Sequence, residues 1–593
     1  MRHAASTLSL LLAAGIQQSY VSAYAVPEIV FNGKSQGSLG AVACEATECS
    51  AIGTDLLARG GNAVDAIVGT TFCVGVIGMY HSGIGGGGFA LVRDADGNYE
   101  AVDFRESAPA DASEDMYKDR HMDSVIGGLS VAVPGEVRGL EYLHKKYGSL
   151  PWKQVMQGAI HVSRNGFRVN GDLVAKMQGM FDLGLRFLVD DPIWAADFAP
   201  NGTLVQEGDI MTRKNYANTL ERIANKGSDA LYYGEIAQNI VDFVQERNGN
   251  LTLKDIQDYK VINRPVKSVT FRGFEVNGMS SPASGAVAMQ MLKLMEKYDA
   301  DDVKDGNLTA HRLTEAMRFS YAARGYLGDP SFVEHRDVLE YEDHMLSPDT
   351  IADLHKRILD NTTLPPEDYY PGDVYQTESH GTSHLSSADK SGMAVSLTTT
   401  INLLFGAQIM EPKSGIILHV SNPQLISTNK ANIPHRNDEM NDFSIPGVRN
   451  EFGFEPSEAN FIRPHKRPLS SMTPLIATYP DGSLFAVIGA GGGSRIISAT
   501  AQTLWRMVEE GASMTEALRH GRLHDQVSPN KLLLEREWFP FADATAEELR
   551  RKGHEVEFVK PGLSSAQGIK RLDDGVFEAV GEPRQVNSGG LTV

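Results

Sequence analysis

The sequence predicts an α+β fold in which antiparallel sheets are covered on the outside by helices. Three hairpins with Asp/Gly turns, at Asp96-Gly97, Asp389-Lys390-Ser391-Gly392 and Asp481-Gly482, stand between strand-like runs. Helical apolar rhythm flanks them, strongest from Ala63 to about Ile77. Neither glycine-rich segment belongs to a βαβ unit, so antiparallel sheets fit better than a dinucleotide-binding domain.

Taken in order, the chain begins with Arg2, an apolar LSLLLAAGI run and the A-x-A pattern Ala23-Tyr24-Ala25. That is the form of a secretory signal, here residues 1–25, cut after Ala25. The run is shorter than the ~20 residues of a membrane span, and no later stretch qualifies. A secreted, extracellular protein is expected, or a membrane-anchored or vacuolar one if the signal is retained. Such a compartment permits disulfides, and three cysteines, Cys44, Cys49 and Cys73, leave one over. Sequons at Asn201, Asn250, Asn307 and Asn361 fit a glycosylated protein. With 55 basic and 75 acidic residues among 593, the net charge of −20 argues against a nucleic-acid partner. A small anionic substrate would need local basic residues.

A helical pattern from Cys49 stops at Gly60-Gly61, and Asn62 caps the next. Gly83-x-Gly85-x-x-Gly88 has the form of a nucleotide fingerprint, but a strand from Phe89 to Arg93 follows it where a helix is required. The return strand, Tyr99 to Phe104, delivers Arg105-Glu106. Helical patterns follow at 134–147, 152–165, 171–188, 235–247, 284–297 and 309–323, with Pro/Asp-rich loops at 299–306 and 362–374. The third hairpin, Leu475 to Ile488, runs through Gly489-Ala490-Gly491-Gly492-Gly493 into a helix from Ser494 to about Glu510, whose first amides suit an anion or oxyanion.

The stretch Ser379 to Phe405 carries the chemistry. It reads as a strand from Thr382 to Ser387, a turn, and a strand from Met393 to Thr400. Glycine's permissive backbone at Gly381 lets the Thr382 hydroxyl attack the carbonyl before it and cut the chain. The new N-terminal threonine then carries its own base, its free α-amine. The hairpin returns Thr400 beside Thr382, where it could hydrogen-bond the nucleophile, and Asn402 follows. His384 shares a strand face with Thr382 and either tunes the site or packs. No metal or cofactor is required: His380, His384 and His419 lack Cys/His partners at zinc-ligand spacing.

The block GTSHLSSADKSGMAVSLTTTINLLFGAQIM resembles the processing site and small-subunit start of γ-glutamyltranspeptidases, glutathione hydrolases of the N-terminal-nucleophile class. Further similar blocks follow the family's order: GGNAVDA, GIGGGGF, FRESAPA, VPGEVRG, NDEMNDFS, KRPLSSM and GAGGGSRI. The resemblance implies a fungal-like secreted member with a four-layer αββα sandwich, a large subunit 26–381 and a small catalytic subunit 382–593, held as a heterodimer. It implies that Thr382 attacks the γ-carbonyl of glutathione or another γ-glutamyl compound. The acyl-enzyme is then resolved by water or by an amino-acid or dipeptide acceptor. Arg105, with Ser470 and Ser471, would hold the donor's α-carboxylate. Glu439 and Asp442, with Asn402, would take its α-ammonium, and the amides of Gly492 and Gly493 its oxyanion, at about 3 kcal/mol per donor. The family also pairs cysteines at the places of Cys49 and Cys73, leaving Cys44 free.

The chain departs from the family in an insert, residues 419–436, read as either a loop shaping the donor pocket or translated intron sequence, and in Asn441 where the family has aspartate. Two other readings stand beside this one: an acylase of the same fold acting on glutaryl-type amides, and an uncleaved, non-catalytic scaffold.

Overall fold

Alternation along the central hairpin decides the architecture. The computed structural model describes residues 37–118, 120–124, 126–299, 306–370, 374–375, 381–418, 442–447 and 455–593. The strands of its two large sheets are, in chain order, β1 (Gly40–Cys44), β2 (Gly87–Arg93), β3 (Tyr99–Asp103), β4 (Ile262–Arg264), β5 (Val266–Phe271), β6 (Phe274–Met279), β7 (Ser383–Asp389), β8 (Ala394–Thr400), β9 (Leu475–Thr478), β10 (Leu484–Gly491), β11 (Ser565–Arg571), β12 (Phe577–Val580) and β13 (Gly589–Thr592). A seven-stranded sheet has the order β13-β1-β7-β8-β2-β3-β4, and a six-stranded sheet the order β12-β11-β10-β9-β6-β5. Every pairing in both is antiparallel.

Within β7 and β8, Leu385, Val395 and Leu397 point to an apolar layer beneath helices, while Ala388 and Ala394 point to a second layer between the sheets. Helices α1 (Thr47–Ala58) and α2 (Ala63–Ile77) cover the first sheet, with α3 (Glu136–Tyr147) and α4 (Trp152–Asn165) packed on α2. On the second sheet, α7 (Arg495–Glu509) lies over β10, beside α5 (Gly285–Met295) and α6 (Gly306–Arg324). The result is helix, sheet, sheet, helix. Both sheets take strands from each side of Gly381-Thr382, so the segments 26–381 and 382–593 are interleaved rather than separate domains.

Asn62 closes a capping box at the start of α2, with its side chain accepting from Val64 and Asp65 amides. Ser387 Oγ donates to the Ala63 carbonyl at 2.8 Å and Asp389 accepts from the Ala63 amide at 2.9 Å, which pins that helix end to the hairpin. Cys49 of α1 and Cys73 of α2 form a disulfide with Cα atoms 5.4 Å apart, and Cys44 is a buried free thiol. Asn201 and Asn361 are exposed, Asn250 and Asn307 half-buried. Among the described residues no helix is long and apolar enough to cross a membrane.

The structure departs from expectation in two places. The first strand of the central hairpin begins at Ser383, because Gly381 turns the chain and leaves Thr382 ahead of the ladder. The pattern 171–188 makes two helices, Gly171–Asp182 and Phe187–Asp190, with Gly184 between them at φ +78°.

The two sheets meet closely because Gly489 of β10 lacks a side chain: a Cβ there would run into the His384 ring. Gly489→Ala should therefore destabilise the protein by about 1–3 kcal/mol, the usual cost of overpacking. Gly179→Ala, in a helix with open space around it, should be neutral or stabilising by up to about 1 kcal/mol. Equal denaturation midpoints for Gly489→Ala and wild type would rule out this contact as a constraint.

Candidate active site

The site is built at the N-terminal end of β7. Gly381 has φ +85°, and any Cβ would collide with the Asn402 carbonyl oxygen, so glycine alone fits this turn. The turn brings the Thr382 hydroxyl against the carbonyl oxygen of Gly381, to which it donates. Thr400 Oγ1 donates to the same oxygen at 3.3 Å and accepts from the Asn402 amide at 2.7 Å. Thr400 therefore serves the carbonyl of the Gly381–Thr382 bond and not the Thr382 hydroxyl, a correction to the sequence expectation. The cause is the Gly381 turn, which swings that carbonyl over the end of β8.

Thr382, His384 and Ser386 face the second sheet. A Cβ on Gly491 would strike the Thr382 carbonyl oxygen, so the glycine loop after β10 begins against Thr382. Gly492 and Gly493 follow at φ +120° and +66°, and their amides have no acceptor among the described residues. His384 takes the packing role: its Nδ1 lies 3.0 Å from Thr398 Oγ1 and its Nε2 2.9 Å from Ser386 Oγ. Burial pushes its pKa down to about 3, keeping it neutral. On the opposite face Ser383 donates to Glu45, which also faces His81 Nδ1 at 3.5 Å.

A buried charged cluster is assembled from four distant segments. Arg105, 1% exposed, donates through Nη2 to buried Asp442 and lies 3.4 Å from Glu106 through Nε. Burial lowers the pKa of Arg105 and raises that of Glu106 to about 7, against the pull of Arg105. Asp103 fixes the arginine's place, accepting from the Arg105 amide at 2.9 Å, Arg264 Nε at 2.8 Å and Arg467 Nη1 at 2.5 Å. Asn460 joins the remaining pieces: it donates to the Asp442 carbonyl and accepts from the Leu469 amide at 2.9 Å, next to Ser470. Ser470 Oγ accepts from the Met472 amide at 3.1 Å, and the Ser471 carbonyl accepts from Thr473. Two buried donors, Arg105 Nη1 and Asn402 Nδ2, have no hydrogen-bond partner among the described residues.

Glu439, Asn441 and the insert 419–436 lie outside the described residues. The supporting residues Glu45, Asp103, Arg264, Asn460 and Arg467 escape sequence reasoning because their partners lie outside any local pattern, for Glu45, Asp103, Arg264 and Arg467 more than 60 residues away. Arg467, inside the KRPLSSM block, is the one a sequence signal could have found.

Loss of the Thr400 hydroxyl in Thr400→Val should slow chain cleavage by about 100–1,000-fold, as for removal of one oxyanion donor, and Thr400→Ser should restore most of it. A gel time course of freshly folded protein reads this; cleavage of Thr400→Val at the wild-type rate would reject the assignment.

Glu136, which accepts from Thr399 of β8, is pushed by burial from 4.5 up to about 8. A carboxyl with a raised folded-state pKa binds its proton more tightly in the fold, so its contribution is full below pH 4.5 and is lost as pH rises to about 8. Against Glu136→Gln, wild-type stability should therefore fall across that window, read as the difference in denaturation midpoints. A difference constant with pH would contradict it.

A family model described as Gamma-glutamyltranspeptidase matches residues 49–591. Glutathione hydrolase proenzyme of Arthroderma benhamiae is 45% identical over 574 residues, spanning 94% of this chain and 93% of that protein. Glutathione hydrolase proenzyme of Escherichia coli K12 is 35% identical over 576 residues, spanning 95% and 93%. Among solved structures, cephalosporin acylase from Bacillus halodurans aligns at TM-score 0.81 and 23% identity, over 97% of this chain and 99% of that one, a likeness of fold alone. Helicobacter pylori γ-glutamyltranspeptidase aligns at TM-score 0.52 and 31% identity, over 56% of this chain and 95% of that one. Near-complete coverage by sequence, together with the αββα fold, leads to one conclusion: the chain belongs to the γ-glutamyltranspeptidase family.

Proposed function

We propose that this protein is a γ-glutamyltransferase and glutathione hydrolase that matures by cutting itself between Gly381 and Thr382. The observation that carries the reading is the convergence of the Thr382 and Thr400 hydroxyls on the Gly381 carbonyl oxygen. In maturation Thr382 Oγ1 attacks the Gly381 carbonyl carbon, its proton passes to the Thr382 nitrogen, and the C–N bond breaks. Water then hydrolyses the resulting ester, leaving a carboxylate on Gly381 and a free amine on Thr382. The name proenzyme carried by relatives fits this step.

In turnover the freed α-amine takes the Thr382 hydroxyl proton as Oγ1 attacks a γ-glutamyl carbonyl. The amides of Gly492 and Gly493 receive the oxyanion, the leaving amine takes the proton, and an ester to Thr382 remains. Water or an amino-acid or dipeptide amine resolves it. Arg105 and Asp442 form a buried ion pair of the two charges that a zwitterionic donor head complements, with Arg105 Nη1 and Asn402 Nδ2, unpartnered among the described residues, as further donors. A glutaryl side chain lacks the ammonium and would offer the Asp442 carboxylate no charge beyond that of Arg105, which disfavours the acylase reading. Secretion through the signal 1–25, cleaved, glycosylated and held as two chains, completes the proposal.

Mass and N-terminal analysis of secreted protein should show two chains, the smaller beginning Thr382-Ser383-His384, with γ-glutamyl amide hydrolysis. Thr382→Ala should stay a single inactive chain. A single uncut wild-type chain would reject catalysis. Asp442→Asn should lower kcat/KM for a γ-glutamyl amide by about 2–5 kcal/mol, the cost of breaking a buried charge pair. It should not weaken action on a glutaryl amide equally; equal losses would favour the acylase reading.

A further inference from the structure

Away from the site just described, His311 and Glu315 lie one turn apart on α6, and His554 sits between the helix Ala542–Arg551 and the strand Val556–Val559. All three are buried, and one ligand atom from each lies within 4.8 Å of the others. His311 Nδ1 is 2.7 Å from His554 Nε2, and His554 Nε2 is 3.8 Å from Glu315 Oε1. His311 Nε2 lies 2.7 Å from the Leu359 carbonyl, which can only accept. That hydrogen bond puts the ring hydrogen on Nε2 and presents the Nδ1 lone pair to the other two groups. Glu315 is oriented in turn by Thr363 Oγ1 at 2.7 Å and Tyr369 OH at 2.6 Å.

We propose that His311 Nδ1, Glu315 and His554 Nε2 bind one divalent transition-metal ion of the zinc class. Two imidazole nitrogens and one carboxylate oxygen, with a fourth position left for water, are a donor set such an ion takes. Bond lengths of about 2.0–2.2 Å in a tetrahedral site put ligand atoms ~3.3 Å apart. That spacing falls between the 2.7 Å of the closest pair and the 4.8 Å within which all three atoms lie, so binding needs side-chain shifts of up to roughly 1.5 Å. On binding, His554 moves its ring hydrogen from Nε2 to Nδ1. The neighbouring cations are already engaged: Arg318 pairs with Asp525 at 2.8 Å, and Lys552 with Glu548 at 3.3 Å.

The ligands straddle the cleavage point, two before Gly381 and one after. The ion therefore fastens the two mature chains to each other, a role that rests on the proposed self-cleavage, whereas binding itself does not.

The test uses full-length secreted protein, freed of metal by a chelator and titrated with Co2+ and then Zn2+. Wild type should take up one equivalent of Co2+ with the visible absorption of a tetrahedral site, and Zn2+ should displace it and raise the unfolding midpoint. His554→Gln should lose that equivalent, and Glu315→Gln should bind at least about tenfold more weakly. Uncleaved Thr382→Ala should bind like wild type, which separates this inference from the maturation reading. No saturable Co2+ signal in wild type would overturn the proposal whether or not the variants fold, and so would equal uptake by wild type and His554→Gln.

Discussion

The rest of the structure depends on the contact between the two sheets along β7 and β10. A sheet interior is normally filled by apolar side chains on alternate positions, yet here the inward face of the central hairpin carries Thr382, His384, Ser386, Ser396, Thr398 and Thr400. Such a polar seam survives burial only if its groups are paired. The second sheet supplies partners: Ser396 Oγ donates to the Ile488 carbonyl at 3.0 Å, and Ser386 Oγ to the Val487 carbonyl at 3.4 Å. Gly489 and Gly491 make the approach close enough for this. The same closeness brings the glycine loop against Thr382, so the packing that stabilises the sandwich also places the proposed nucleophile beside candidate oxyanion donors.

A second organising interaction is the carboxylate of Asp103. It is fully buried and answers Arg264, Arg467 and the amide of Arg105. A buried anion of this kind is tolerable only with several donors, and here the donors come from segments more than 350 residues apart in sequence, at 105 and 467. Arg105 is thereby held in position for Asp442, and Asn460 carries the alignment on to Leu469 and Ser470. A cluster whose side chains are already held by one another needs less ordering on binding a ligand.

Interleaving explains how a chain can be cut at its centre and keep its fold. Each sheet contains strands from both sides of Gly381-Thr382, and β7, which begins one residue past that bond, is flanked by β1 and β8. Cutting there removes one covalent bond and no ladder pairing. The cluster His311, Glu315 and His554 also spans the two segments and joins them through the hydrogen bond between His311 and His554.

The sequence by itself determined the local elements and the chemistry of the nucleophile. Asp/Gly turns, apolar rhythm and Asn62 marked the hairpins and α2, and a glycine before a threonine at a strand head marked the bond proposed to react, because these signals are written in adjacent residues. The strand β1 and the edge strand β13 beside it, short and apolar or glycine-rich, carried no such signal. Family resemblance, not periodicity, implied four layers, since counting strands does not say which pair across a gap of hundreds of residues. Only the tertiary structure decided that Thr400 bonds the scissile carbonyl, that His384 packs as a neutral ring between sheets, and that Arg105 is buried on Asp442 rather than exposed. Each of those outcomes depends on which backbone or side chain arrives from a distant segment, and hydrogen-bond geometry at that range is set by packing, not by neighbours in the chain.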